Sequence, residues 1–399
     1  MPHPLSLLRS DWLKSGETIE APFPIKRIWG IVMKRILLSG GGTGGHIYPA
    51  LAVANAVRRR YPDVKIAYIG TENGLEARIV PRSGDIAFYT VKIQGFKRSL
   101  SLDNLRTVSK FVRAVKRSKE LLREFRPDVV VGTGGYVSGP AVFAAHRLDI
   151  PTLIHEQNVV PGLTTRFLAR YADVTAVSFS SSEAYLEHAK RLVHTGNPRA
   201  TEVIHGDAEK GRKSLGLEGS DKPIVLFVGG SRGARPINEA VMQMVPRMEE
   251  LPDVHFVYVT GEIHFEEIQR RLDGRAPGNL RVVPFIYDMP DVLATTSLVV
   301  GRAGASTLAE LTALGIPSIL IPSPYVTNNH QEANARWLEE QGAARVILEK
   351  ECTAENLWRE ISDIMKDPLK LRSMGDQAKI LGRPKAAEVL VDELERICR

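Results

Sequence analysis

At 399 residues the chain is long for one hydrophobic core, so two domains are expected. Its 43% apolar and 25% charged residues are those of an ordinary soluble globular protein, and no apolar run approaches the roughly 20 residues that span a bilayer. The net charge of +7 suits anionic partners such as phosphates, acidic lipid or nucleic acid. The two cysteines, Cys352 and Cys398, lie far apart and lack metal-ligand spacing, which favours a reduced cytosolic compartment.

Asp11, Lys14, Glu17 and Glu20 interrupt any secretory apolar core in the first 32 residues, and four prolines there argue against regular structure. Residues 1–32 are expected to be a poorly ordered extension or the product of an upstream start codon. From Met33 short apolar runs alternate with amphipathic stretches. Ile36–Leu38 reads as a strand, followed by Ser39-Gly40-Gly41-Gly42-Thr43-Gly44-Gly45-His46 and a helical pattern from near Ile47. Such a loop lets backbone N–H groups and a helix N-terminus converge on an anion. Pro49 suits a first helical turn. Strands are further expected at 64–69, 129–131, 152–154 and 174–177, with helices at 51–60 and 75–82. A polar stretch from about Gly196 to Lys222 reads as the domain connection. The rhythm then restarts with strands at 224–228, 257–260, 282–283, 298–300 and 318–321. The alternation predicts two doubly wound α/β domains, Rossmann-like, facing each other across a cleft. Their bounds are expected at 33–198 and 199–384. The last helix, within 385–399, belongs either to the second half or packs back on the first.

Several clusters sit where such sheets place ligands. Gly134, Gly135, Tyr136 and Ser138 belong to another strand–glycine loop–helix junction, and His155-Glu156-Gln157-Asn158 follows a strand. Gly229-Gly230-Ser231-Arg232-Gly233-Ala234 and Gly301-Arg302-Ala303-Gly304-Ala305-Ser306-Thr307 open helices in the second half. Glu310 falls near the first turn of its helix, where a carboxylate either pairs two ribose hydroxyls or complements the helix dipole. Capping accounts for Asn328 or Asn329 but not for Gln331. No Asp-x-Asp pair is present to hold a divalent ion against a diphosphate, so leaving-group charge falls to helix ends, backbone N–H groups and arginines.

Between Lys92 and Arg126 lie eleven Lys or Arg against three acids. Leu105, Val108, Phe111, Val112 and Val115 have helical spacing and are expected in the core. Phe96, Lys97 and Arg98 form an apolar tip ringed by cations, which suits an anionic membrane surface. A plain solvated helix is the alternative. Nucleic acid is not expected, because aromatic residues do not interleave with the charges.

As an ordered set, Gly-Gly-Thr-Gly-Gly-His-Ile-Tyr-Pro (41–49), Gly-Gly-Tyr-Val-Ser-Gly-Pro (134–140), His-Glu-Gln-Asn (155–158), Gly-Asn-Pro-Arg (196–199), Gly-Gly-Ser-Arg-Gly-Ala (229–234), the 301–310 loop and Asn-His-Gln (329–331) resemble a family of bacterial peptidoglycan glycosyltransferases, glycosyltransferase family 28. The resemblance covers Met33 to the C-terminus. It implies a metal-independent inverting transferase of the GT-B fold without a cofactor. UDP-N-acetylglucosamine is the implied donor and undecaprenyl-diphosphate-linked N-acetylmuramoyl-pentapeptide the acceptor, at the cytoplasmic side of the cell membrane. By the same likeness Ile286 meets uracil; Ser231, Ala305, Ser306 and Thr307 meet the diphosphate; Glu310 meets the ribose and Gln331 the sugar. Thr43, Gly44, Gly45, Asn158 and Arg199 join the donor set, and Gly134, Gly135, Tyr136 and Ser138 the acceptor set. His46, at the mouth of the first loop, is the candidate base; N-capping or acceptor-diphosphate binding is its alternative. Three rivals stand beside this reading. One is a UDP-sugar transferase of the same fold with another lipid acceptor. Another is a nicotinamide oxidoreductase suggested by Gly40-x-Gly42-x-x-Gly45, which lacks the acid closing its second strand. The last is a non-catalytic basic module.

Overall fold

The structure, a computed structural model, describes residues 33–95, 103–230 and 232–398, with side chains from Thr107 onward in the helix that begins at Asp103. The expectations for residues 1–32, Phe96, Lys97, Arg98, Leu105 and Ser231 lie outside the described residues and side chains.

Seven parallel strands form the first sheet: β1 (Arg35–Ser39), β2 (Lys65–Gly70), β3 (Ala87–Thr90), β4 (Val129–Gly132), β5 (Thr152–Glu156), β6 (Val174–Val177) and β7 (Leu192–His194). Their order is β3-β2-β1-β4-β5-β6-β7. The second sheet holds β8 (Ile224–Val228), β9 (His255–Val259), β10 (Leu280–Val283), β11 (Leu298–Gly301), β12 (Ser318–Leu320) and β13 (Ala344–Val346), in the order β10-β9-β8-β11-β12-β13. Helices cover both faces, so the central strands are buried on each side and read as unbroken apolar runs. Both sheets are doubly wound, and each reverses its winding between its first and fourth strands in chain order. That reversal opens a crevice at the strands' carboxyl ends.

The helix Ala386–Ile397 packs on the first half. Ala387, Leu390, Val391 and Leu394 share one buried cluster with Ile36, Leu38, Val53 and Val57. On its exposed side Arg60 pairs with Asp392 and Glu395, and Tyr61 Oη donates to Glu395 Oε1 at 2.5 Å. The chain therefore crosses to the second sheet and returns.

Several elements differ from their expected extents. The first helix runs Gly44–Arg60, three residues earlier than its apolar pattern, so Pro49 is its sixth residue and not in its first turn. Its N-cap, Thr43, is extended and makes no side-chain cap bond. β5 extends through Glu156 because His155 and Glu156 still pair with Ala176 and Val177 of β6. Glu310 is the sixth residue of the helix Ala305–Leu314, beyond the first turn where the dipole alone would explain it. In the helix Asp103–Phe125 the buried stripe is Thr107, Ala114, Ser118, Leu121 and Leu122; Val108 and Val112 are exposed, not core. Spacing reveals an apolar stripe but not the side on which the rest of the chain lies.

Candidate active site

β1 and β4 are neighbours at the winding reversal of the first sheet, so the loops that follow them must meet. Gly41 N donates to Gly134 O at 3.3 Å. The approach needs glycine at two positions. A Cβ on Gly135 would stand 2.3 Å from Gly41 O, and one on Gly134 would stand 2.6 Å from His46 Nδ1; both residues also have positive φ. A residue not singled out from the sequence, Glu76, clamps the first loop from below. Its buried carboxylate accepts from Gly42 N at 3.1 Å, Thr71 N at 3.0 Å and Thr71 Oγ1 at 2.6 Å. Burial works against its charge, but these donors hold it below the usual carboxylate range. The N–H groups of Gly44 and Gly45 open the helix ahead of its first intrahelical bond.

His46 stands on that first turn, half-buried. Its Nδ1 lies 3.1 Å from Thr133 O and 3.0 Å from Gln157 Oε1. Thr133 Oγ1 in turn donates to His46 O at 2.7 Å. Two oxygen acceptors at Nδ1 place the proton of the neutral ring there and the lone pair on Nε2. Nε2 enters none of the hydrogen bonds among the described residues. The ring is therefore presented as an acceptor, as a base must be.

Below it, His155, Glu156 and Gln157 are buried at the end of β5, not displayed on a loop. Glu156 folds the following turn onto itself: Oε1 accepts from Gln157 N and Asn158 N, both at 3.1 Å, and Oε2 from Gly162 N at 3.1 Å. Asn158 is thereby carried to the other half. Asn334 Nδ2 donates to Asn158 Oδ1 at 3.2 Å, and Val159 N donates to Asn334 Oδ1 at 2.9 Å. Phe179 meets Trp337 edge to face at 5.0 Å beside this contact. Asn334 closes the polar run 328–334 read from the sequence as a helix start facing the cleft, but its pairing with Asn158 and Val159 could not be read there.

In the second half, Gly304 N-caps the helix that begins Ala305-Ser306-Thr307, with no side-chain cap bond. Ser306 Oγ is buried and makes no hydrogen bond among the described residues. Arg302 holds the loop from behind through Ile321 O at 3.0 Å and Glu349. Glu310 Oε1 accepts from Arg199 Nε at 3.1 Å and Nη2 at 2.7 Å, which leaves Oε2 outside the hydrogen bonds of the described residues. Arg199 also pairs with Glu202 and lies over the Tyr48 ring at 5.6 Å. Burial opposes its charge, and Glu310 and Glu202 overcome it, holding the guanidinium above its ordinary pKa. Gln331 Oε1 accepts from Ser323 N at 3.0 Å. Asn329 is the N-cap of the helix His330–Glu340, in left-handed backbone, and makes no side-chain cap bond, so capping does not account for it. Ile286 is buried in the turn after β10.

Of the residues expected at the acceptor, Tyr136 is exposed beside Gly42, whereas Ser138 is buried and donates to Gly135 O at 2.9 Å. Tyr136 borders an apolar groove of about 360 Å³ with Val108, Phe111, Leu163, Thr164 and Phe167. Among the described residues no three His, Cys, Asp or Glu side chains gather as a metal-binding group.

The family model described as "Glycosyltransferase family 28 N-terminal domain" matches residues 36–177, and "Glycosyltransferase family 28 C-terminal domain" matches residues 224–390. A Halalkalibacterium halodurans protein is 55% identical over 357 residues, covering 89% of this chain and 97% of its own length. The chain belongs to glycosyltransferase family 28. That relative is named UDP-N-acetylglucosamine--N-acetylmuramyl-(pentapeptide) pyrophosphoryl-undecaprenol N-acetylglucosamine transferase. A Bacillus cereus protein of the same name, numbered 1, is 51% identical and covers 92% of this chain and 100% of its own. The crystal structure of Acinetobacter baumannii MurG matches with a TM-score of 0.73 at 30% identity, over 91% of this chain and 99% of that one. The GT-B arrangement of this family 28 chain rests on two winding reversals, one in each sheet.

Proposed function

We propose that this chain transfers N-acetylglucosamine from UDP-N-acetylglucosamine to the C4 hydroxyl of undecaprenyl-diphosphate-linked N-acetylmuramoyl-pentapeptide, giving the disaccharide lipid and UDP. The carrying observation is the His46 ring at the helix start of the first glycine loop, oriented with its unprotonated Nε2 outside the hydrogen bonds of the described residues. The relatives named for this transfer, at 55% and 51% identity over nearly their whole length, support the choice of substrates.

The acceptor oxygen attacks the anomeric carbon, the bond from that carbon to the UDP oxygen breaks, and the α linkage becomes β. His46 Nε2 takes the hydroxyl proton during attack, a task a neutral imidazole performs near pH 7. The donor lies against the second half. Its diphosphate meets the N–H groups at Ala305–Thr307 and Ser306 Oγ, in a mechanism that uses no metal ion. Glu310, steered by Arg199, accepts from ribose hydroxyls through its open Oε2; Gln331 and Asn158 contact the sugar; the backbone of Ile286 meets the base. The acceptor approaches over Tyr136. The apolar groove beside it, with exposed Val108 and Val112 among basic residues, supports contact with an anionic membrane surface and the lipid carrier. No helix among the described residues is long and apolar enough to cross a membrane. The same reading sets the chain peripherally at the cytoplasmic face of the cell membrane.

The test is UDP release from UDP-N-acetylglucosamine with and without a polyprenyl-diphosphate muramoyl-pentapeptide acceptor, in EDTA. Acceptor-dependent release that survives the chelator is expected. Release with other lipid acceptors but not this one would overturn the substrate, and collapse in EDTA would overturn the metal-free mechanism.

A further inference from the structure

The hydrogen bonds beneath His46 run in one direction only. His155 Nε2 lies 2.9 Å from Gly196 O. A carbonyl only accepts, so the His155 proton is on Nε2 and its Nδ1 bears the lone pair. Gln157 Nε2, 3.0 Å from that Nδ1, must donate to it; its two hydrogens also serve Thr133 O at 2.8 Å and His155 O at 3.1 Å, one of them shared between two acceptors. Three acceptors around one amide nitrogen fix the orientation of the carboxamide. Oε1 is then turned to His46 Nδ1 at 3.0 Å, where it accepts.

We propose that Gln157 and His155 are positioning residues for the transfer: together they fix the polarity of the hydrogen bonds at His46 Nδ1, so that the Nε2 lone pair faces the cleft. This rests on His46 being the base. The chain orients and does not conduct, because a carboxamide passes no proton along without becoming an imidic acid. Reversing the amide would set its NH₂ against the His46 N–H and its oxygen against Thr133 O, His155 O and the His155 lone pair. His155 and Gln157 are each at least 98% buried, so neither mismatch could be relieved by solvent. Burial, acting with His46 and against Glu156, pushes the His155 imidazole down to about 4, so it stays in the neutral form this arrangement requires. The far end is equally fixed. Gly196 has φ +83, and a Cβ there would meet Arg383 Cβ at 2.4 Å. Thr133 O also accepts from His46, so Gln157 refines a tautomer that the backbone already favours.

Two variants and one spectrum test this. Gln157→Met removes both the acceptor and the donors at similar volume; kcat is expected to fall about tenfold with the KM for UDP-N-acetylglucosamine little changed. Gln157→Glu keeps an acceptor at His46 Nδ1 and adds charge. Its second oxygen would face the acceptors that the amide nitrogen serves, so no regain of turnover over Gln157→Met is expected, but the acid limb of the kcat/KM profile should move upward by about half a pH unit or more. A role limited to packing would not move that limb. Wild-type kcat in Gln157→Met, or an unmoved limb in Gln157→Glu, would overturn the proposal. Isotope-labelled histidine NMR of the wild-type protein gives a readout that needs neither variant to fold. The proton of neutral His46 is expected at Nδ1, and a majority Nε2–H form would overturn the proposal. If His46→Gln instead kept normal turnover, the base reading would fall while the NMR result still stood.

Discussion

The two faces that meet in the cleft are held in different ways. In the first half the strand-end groups are tied to one another. Glu76 holds the glycine loop, Thr133 and Gln157 hold His46, and Glu156 holds the turn that reaches Asn158. In the second half the helix at Ala305 opens without a side-chain cap, and Ser306 Oγ is buried without a hydrogen-bond partner among the described residues. On the proposed reading the same doubly wound plan serves two purposes. A base must point in one direction before substrate arrives, which takes internal hydrogen bonds. A diphosphate site needs donors not committed within the protein. A substitution is therefore expected to register as stability or turnover on the first face and as ligand affinity on the second.

The largest effect that would sharpen this contrast is at His155. Its folded-state pKa is depressed to about 4 from 6.5. Above pH 6.5 both folded and unfolded chains hold it neutral, and its contribution is fully present. As pH falls through 6.5 the unfolded chain takes up a proton that the folded chain refuses until about 4, so stability is lost across that window. The loss amounts to about 3 kcal/mol at most. Urea denaturation of wild type and His155→Asn between pH 7 and pH 4 should show the variant less stable at pH 7 but with a shallower decline. Parallel declines would remove His155 from the account.

A smaller effect is expected across the cleft. Ser306→Ala deletes a hydroxyl that makes no hydrogen bond among the described residues, so thermal stability should hold within about 0.5 kcal/mol. Affinity for UDP, measured by calorimetry, should fall by roughly threefold to tenfold, the worth of one hydrogen bond to a charged group. A drop in stability with unchanged affinity would reverse the comparison between the two faces.

The interior of both sheets was legible in the sequence, because strands buried on two faces must be continuous apolar runs. The strands absent from the sequence reading are β3, β7 and β13, and each lies at a sheet edge. There Ala87–Thr90 and Leu192–His194 are only half covered, so their runs do not stand out from neighbouring loops. Glycine loops located the strand ends correctly. They did not show that Gly134 and Gly135 make room for His46 and Gly41, which depends on β1 and β4 being neighbours although about 90 residues apart in the chain. Glu76 was illegible for the same reason, and the His155–Asn158 motif marked Gln157 without showing what it would contact. A buried Gln or Glu in sequence is simply a polar residue; its meaning lies in what the fold places beside it. Val108 and Val112 show the converse, an apolar periodicity whose face the sequence could not assign.

The central claim is that His46 removes the acceptor proton. The most direct measurement is kcat of His46→Gln with donor and acceptor both saturating, alongside its calorimetric affinity for UDP-N-acetylglucosamine. The account predicts a fall in kcat of about 10²–10⁴-fold with donor affinity nearly unchanged. Turnover near that of the wild type would contradict it.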